Sequence, residues 1–170
     1  MEPKLSNRDI PRYNIRSLPT YRHLPFQNPH PFLDEDGHSY GEKLDPVEGF
    51  GPDTWMDCEE YLYSIDLFNN GFWWEAHERL KQVSLGAGRE SEAGRFIQGL
   101  IQVTAGLLKH FMEENAPARA LADMGLSNLK VGQNPYLGID VAALNDAVNA
   151  CLDEENSAYP GIRLVGIRLH

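Results

Sequence analysis

No run of basic residues occurs in this sequence. Its 15 Lys and Arg are outnumbered by 25 Asp and Glu, for a formal charge of −10 and a pI near 5.0. Nucleic acid and anionic membrane surfaces are held by clustered cations, so neither is an expected partner. Only two cysteines are present. Cys58 and Cys151 lie far apart within helix-like patterns, so they read as small buried apolar residues of a cytoplasmic, reduced protein. No stretch approaches the roughly 20 apolar residues of a membrane span, and the opening "MEPKLSNRDIPRYNIRSLP" has no apolar signal core, so neither export nor insertion is expected. Familiar catalytic templates are also missing: no G-x-S-x-G, Walker loop, Rossmann glycine pattern or paired C-x-x-C appears.

What is present divides the chain into two textures. Residues 1–53 hold eight of the eleven prolines. Proline lacks an amide donor and disfavours helix in the residue before it, so this segment is expected to be an extended, non-helical arm. It also carries Ile10, Tyr13, Ile15, Leu18, Tyr21, Leu24, Phe26, Phe32, Leu33 and Tyr40, too much apolar material for a free linker. The arm is therefore expected to pack on the body, residues 54–170.

From Asp53 the apolar period becomes 3.6. The first helix should be capped by Asp53 or Thr54, run its stripe through Cys58, Tyr61, Leu62, Ile65 and Phe68, and end at Asn70-Gly71. "FWWEAHERLKQVSLGAG" reads as a second helix stopped by Gly86 and Gly88, with Trp73, His77, Leu80 and Ser84 along its packing line. The third, "RESEAGRFIQGLIQVTAGLLKHFMEEN", is apolar over a wide arc and should be central. A fourth is expected from Asn115 with Pro117 in its first turn, and a fifth from Asp140. The tail "YPGIRLVGIRLH" reads as extended. The predicted fold is all-α, a bundle of about five helices.

The chemistry-bearing residues gather on two of these helices and the arm. The second helix offers Glu75, His77 and Glu78, the third Gln98, Gln102 and His110, and the arm His23, His30 and His38. Imidazole and carboxylate are the usual ligands of divalent zinc, manganese or iron, and helix pairs can aim them into one cavity. A protease zinc helix is excluded, because it needs two histidines at i and i+4 and Lys81 stands where the second would be. Against a metal site stands a structural reading. A lone His on an apolar face is commonly a satisfied core residue, Glu78 can pair with Lys81 or Arg79, and exposure costs Glu75 little. Gln98 and Gln102, one turn apart on an apolar helix, call for a polar partner across the interface. Trp73 and Trp74 read as core anchors, Asp66 and Asn69 as capping or supporting groups, and "PHP" and "GHSYG" as turns that leave His30 or His38 able to close over the helical site.

The segments "DLFNNGFWWEAHERL" and "FIQGLIQVTAGLLKH" together resemble the DUF309 family of small helical proteins. In that pattern L-F-N-x-G-x-[YW]-W-E-A-H-E is followed some twenty residues later by F-[LI]-[QK]-G-L-I-[QK]. The "PHP" and "GHSYG" of the arm resemble its longer members. Asn69, Gly71, Trp74, Glu75, His77, Glu78, Gln98, Gly99 and Gln102 match motif positions, while Leu80 or Ser84 stands where many members carry tryptophan. The resemblance implies a helical bundle, and with it comes the label of predicted metal-dependent hydrolase.

Two functions stay open on this sequence. In one, the protein is a binding or scaffold protein whose buried His–Glu–Gln cluster fixes helix register, with His77 directed toward Gln98 or Gln102. In the other, His77 and Glu78 bind a divalent ion, His30, His38 or His110 completes the shell, and Glu75 activates water. Trp74, Gln98, Gln102 and Asn69 are the binding candidates. A small-molecule ligand between helices and a homo-oligomer remain open as partners.

Overall fold

The computed structural model describes residues 2–167. Five α-helices follow a single 3-10 turn at Trp55–Asp57: α1 Glu59–Asn69, α2 Trp73–Ala87, α3 Glu92–Phe111, α4 Asn115–Asn128 and α5 Val141–Asp153. The fold is all-α. None of these helices is long and apolar enough to cross a membrane.

Local chemistry explains most boundaries. Ser91 caps α3 by accepting the Gly94 N–H at 2.9 Å, and Asp140 caps α5 by accepting the Ala143 N–H at 3.1 Å, each satisfying a donor with no intrahelical partner. Gly88 ends α2 with φ 83°, a conformation glycine adopts without strain. Three expected boundaries differ. Thr54 accepts the Gly51 N–H instead of capping α1, which starts after Cys58 with Glu59 and Glu60 in its first turn. Asn115 is already helical, the cap position being Glu114. Gly86 does not stop α2: a Cβ there would lie 2.3 Å from the Val47 carbonyl oxygen, so its bare backbone admits the segment 47–50, whose Val47 and Phe50 N–H groups donate to Gln82 and Gly86. The tail, expected to be extended over 159–170, has no helix over 159–167 and pairs Tyr159 with Leu5 in a single bridge, while residues 168–170 lie outside the described ones.

α3 packs on both α2 and α4. Its approach to α4 depends on the absence of side chains: a Cβ on Gly99 would meet the Gly125 carbonyl oxygen at 2.7 Å, and one on Gly125 would meet that of Gly99 at 2.6 Å. The helix enclosed on every side is α1, where each residue from Tyr61 to Asn69 is buried. It is covered by α2 and by chain from both non-helical ends, which a periodicity argument cannot foresee. Cys151 is buried, and burial pushes its thiol up to about 11, whereas Cys58 is half-buried.

Residues 2–53 form turns and bends with no helix. Leu5, Tyr13, Leu18, Leu24 and Val47 pack against the core. Ile15, Phe26, Leu33 and Tyr40, expected to be covered, are exposed. Their place on the segment's outer side follows from its lack of a repeating face.

Candidate functional site: a buried carboxylate and the groove beside it

The stretch from the end of α1 into α2 fastens chain from elsewhere. Asp66, 1% exposed, accepts the N–H of Tyr13 at 2.8 Å and of Asn14 at 2.9 Å, and pairs with the Arg12 guanidinium at 2.9 Å. Asn69 mimics a backbone unit, its Nδ2 donating to the Ile162 carbonyl at 2.9 Å and its Oδ1 accepting the Ile162 N–H at 2.6 Å. Arg22 donates to the carbonyls of Asn70 and Gly71. Buried polar groups left unpaired are costly, so these pairings secure the non-helical segments on the helices.

Glu75, in the first turn of α2, is the centre of the site. It is 5% exposed, and its Oε2 accepts the His23 N–H at 3.0 Å and His38 Nε2 at 2.8 Å. Exposure was the expectation for Glu75, and the correction has a physical reason: the turns around His23 and His38 lie over it. Because the carboxylate accepts, His38 carries its proton on Nε2, and its Nδ1 receives the Ser39 hydroxyl at 2.8 Å. The neighbouring imidazoles are also fixed. His23 Nδ1 donates to Asn28 Oδ1, and His30 Nδ1 accepts the N–H groups of Phe32 and Leu33. The Trp74 ring meets His23 and His30 edge-on, with centroids 4.7 and 5.2 Å away, and is tilted against Phe32. Glu75 Oε1 is buried with no hydrogen-bond partner.

Beside His38 a groove of about 620 Å³ opens between residues 16–20 and 38–47 on one side and α1 and α2 on the other. Arg16, Lys43 and Arg79 line it opposite Glu42, Asp45 and Glu60, three cations against three carboxylates. Glu60 holds both Arg16 at 2.5 Å and Arg79 at 3.0 Å, and the two guanidiniums lie over the Tyr63 ring. Burial would lower the Arg79 pKa, but Glu60 and Glu42 outweigh it and hold the group above its ordinary value.

The other expected site residues are dispersed. The buried line of α2 is Trp73, Ala76, Leu80 and Val83, so His77 falls at its margin with its side chain 27% exposed. Its Nδ1 lies 3.4 Å from Glu78, which also receives Lys81 at 2.9 Å. Burial would raise Glu78, but hydrogen bonds from His77 and Lys81 prevail and keep its carboxyl below the usual value. Gln98 is exposed beside a hollow between α2 and α3, and Gln102 accepts from Asn128 on α4 at 2.7 Å. The expected direction of His77 toward these amides is therefore corrected to the Glu78 side. His110 stands by Tyr159, its pKa lowered by burial and then by Arg119. His30 and His38 lie near Trp74 and Glu75. Among the described residues no three His, Cys, Asp or Glu side chains converge as a metal ion requires, so the candidates His77, Glu78, His110, His30 and His38 do not assemble one shell.

Sequence reasoning passed over Ser39 and Glu60, and it named His23 only among the histidines of the arm and Arg79 only as a partner for Glu78. A signal for His38 existed in the "GHSYG" turn, but nothing in the period of α2 pointed to its partner. Compared with curated proteins, the chain finds no match. Residues 61–121, from the first turn of α1 into α4, match the family model described as a domain of unknown function, DUF309, a span that includes Asp66, Asn69 and Glu75 and leaves His23, His38 and Ser39 outside it.

Proposed function

We propose that the protein is a cytoplasmic small-molecule-binding protein whose ligand occupies the groove between residues 16–20 and 38–47 and helices α1 and α2. The observation that carries this reading is the grip of the buried Glu75 carboxylate on His23 and His38, which holds the far wall of the groove in place. A preformed concavity of about 620 Å³ with a few fixed polar groups has the size and character of a small-molecule site. On this reading the chain divides in function at residue 53: residues 1–53 supply one wall, residues 54–170 the other. Two unpaired thiols suit a reducing compartment. The metal-dependent hydrolase reading has no comparable support, since its principal ligands, His77 and Glu78, are paired with each other and with Lys81 at the protein's surface.

The test is a set of small polar fragments titrated into isotope-labelled protein. Amide shifts should concentrate at Ser17, Ser39, Lys43, Glu60 and Arg79. If fragments instead perturb the α2–α3 hollow around Gln98, or nothing, the groove is not the site.

A further inference from the structure

Ser39 lines the groove next to His38. Its hydroxyl lies 2.8 Å from His38 Nδ1, and Nε2 of the same ring lies 2.8 Å from Glu75 Oε2. Glu75 is nine-tenths buried or more, and the His23 N–H fixes the same oxygen, so the imidazole is oriented from behind. With Nε2–H committed to the carboxylate, Nδ1 offers its lone pair to the hydroxyl. A hydroxyl, a neutral imidazole and a buried carboxylate in line are the parts of an activated nucleophile, which is recognised by geometry and roles and not by order in the chain. The Tyr21 ring, 4.7 Å from that of His38, and the Tyr21 hydroxyl, which accepts the His38 N–H, hold the imidazole further. His38 and Ser39 both line the groove.

We propose that Ser39 accepts an acyl group from a small uncharged carboxylic ester admitted to this groove, an inference that rests on the groove being a small-molecule site. The balance of charges along the groove selects an uncharged substrate. Ser39 Oγ attacks the carbonyl carbon as its proton passes to His38 Nδ1. The tetrahedral adduct then expels the alcohol, which takes that proton, leaving the acyl group on Ser39. Water, deprotonated by the same nitrogen, attacks the acyl carbon, and release of the carboxylic acid restores the serine. The N–H groups of Ser39, Tyr40 and Gly41 already donate to Pro31, Gly37 and Phe32, so they cannot receive the developing oxyanion. Lys43 lines the groove and forms no ion pair among the described residues, which leaves its ammonium for that role. So sparse a set of donors slows both steps, and the acyl-protein accumulates where the ester's leaving group departs readily, because acylation then outpaces hydrolysis of the serine ester.

The experiment uses the full chain with p-nitrophenyl acetate, following nitrophenol release and mapping the acetyl group by mass spectrometry. Acetanilide, an unreactive amide of similar shape, is titrated in parallel by amide chemical shift. The expected result is one acetyl group on Ser39, absent in Ser39→Ala, retained in Ser39→Cys on the new thiol, and slowed roughly a hundredfold in Glu75→Gln. Ser39→Ala keeps the backbone bond from residue 39 to Pro31, so folding is not at issue, and circular dichroism verifies it. Acetanilide shifts at residues 38–43 with no acetylation of Ser39 overturn the nucleophile and leave the groove standing. Loss of both overturns the two together. Acetylation confined to lysines or to another serine also overturns the proposal.

Discussion

Glu75 on α2 and His38, 37 residues earlier, meet at 2.8 Å with both side chains almost wholly enclosed, at 5% and 3% exposure. Removing Glu75 leaves His38 Nε2 and the His23 N–H without the acceptor they share. Glu75→Ala is expected to cost roughly 2–4 kcal/mol in urea unfolding. Glu75→Gln, which keeps one acceptor for the His23 N–H, should cost less than half as much. Hydrogen exchange across residues 21–41 should accelerate in Glu75→Ala, and unchanged exchange there would show that other contacts hold the segment.

Asn69 is the fastening point for the tail. Its loss orphans the Ile162 N–H and carbonyl together, so Asn69→Ala should destabilise by about 2 kcal/mol. Protection of the Ile162 amide should fall at the same time. Stability within experimental error of wild type would mean that water replaces the amide at no cost.

The contact between Gly99 and Gly125 leaves no space for a methyl group. Gly99→Ala should cost about 1–3 kcal/mol by forcing α3 and α4 apart, even though alanine favours helix. Gly132→Ala, where nothing stands within 4 Å of an added Cβ, is the control and should change stability by less than about 0.5 kcal/mol. Equal effects at the two sites would contradict the close approach of these helices.

His77→Ala should change stability by under about 1 kcal/mol, since the imidazole is a quarter exposed and its partner Glu78 retains Lys81. A strong chelator should leave the melting temperature of wild type and variant where they were. A chelator-induced drop in wild type alone would instead restore His77 as a metal ligand.

Acid should act in two stages. The His110 pKa lies below its ordinary 6.5, so the unfolded chain binds its proton first; the stabilisation is complete above 6.5 and is lost as pH falls through the folded value. Glu78, held below 4.5, behaves the same way at lower pH: its contribution is present above 4.5 and disappears below. Urea midpoints followed from pH 8 to pH 3 should lose the upper step in His110→Gln and the lower step in Glu78→Gln.

The helices were legible because apolar spacing and capping residues are local signals. Of the caps expected, Asp140 acts where short-range chemistry places it, whereas Thr54 and Asn115 do not cap and Ser91, which caps α3, was not singled out. The position of His77 was misread by a single step: taking i+4 from Trp73 put the imidazole on the packing line, whereas the buried residue is Ala76 at i+3. Glu75 was harder. It is covered by turns from residues 23 and 38, which have no period to extrapolate, and its burial depends on hydrogen bonds spanning 37 and 52 residues. Composition showed that the first 53 residues carry apolar side chains, but could not say which of them would be left facing water.

The sockets on α1 and α2 also set an order of assembly. Residues 12–14, 22, 23 and 38 precede in the chain the groups of α1, α2 and the turn between them that receive them, at 66, 70, 71 and 75. During synthesis this stretch leaves the ribosome before the helices that fasten it, so these bonds can form only once α2 has emerged. Asn69 waits in the other direction, for Ile162, 93 residues later, and the bridge between Leu5 and Tyr159 closes only after the five helices between them have been made. The segment before α1 is thus fastened only by chain that follows it.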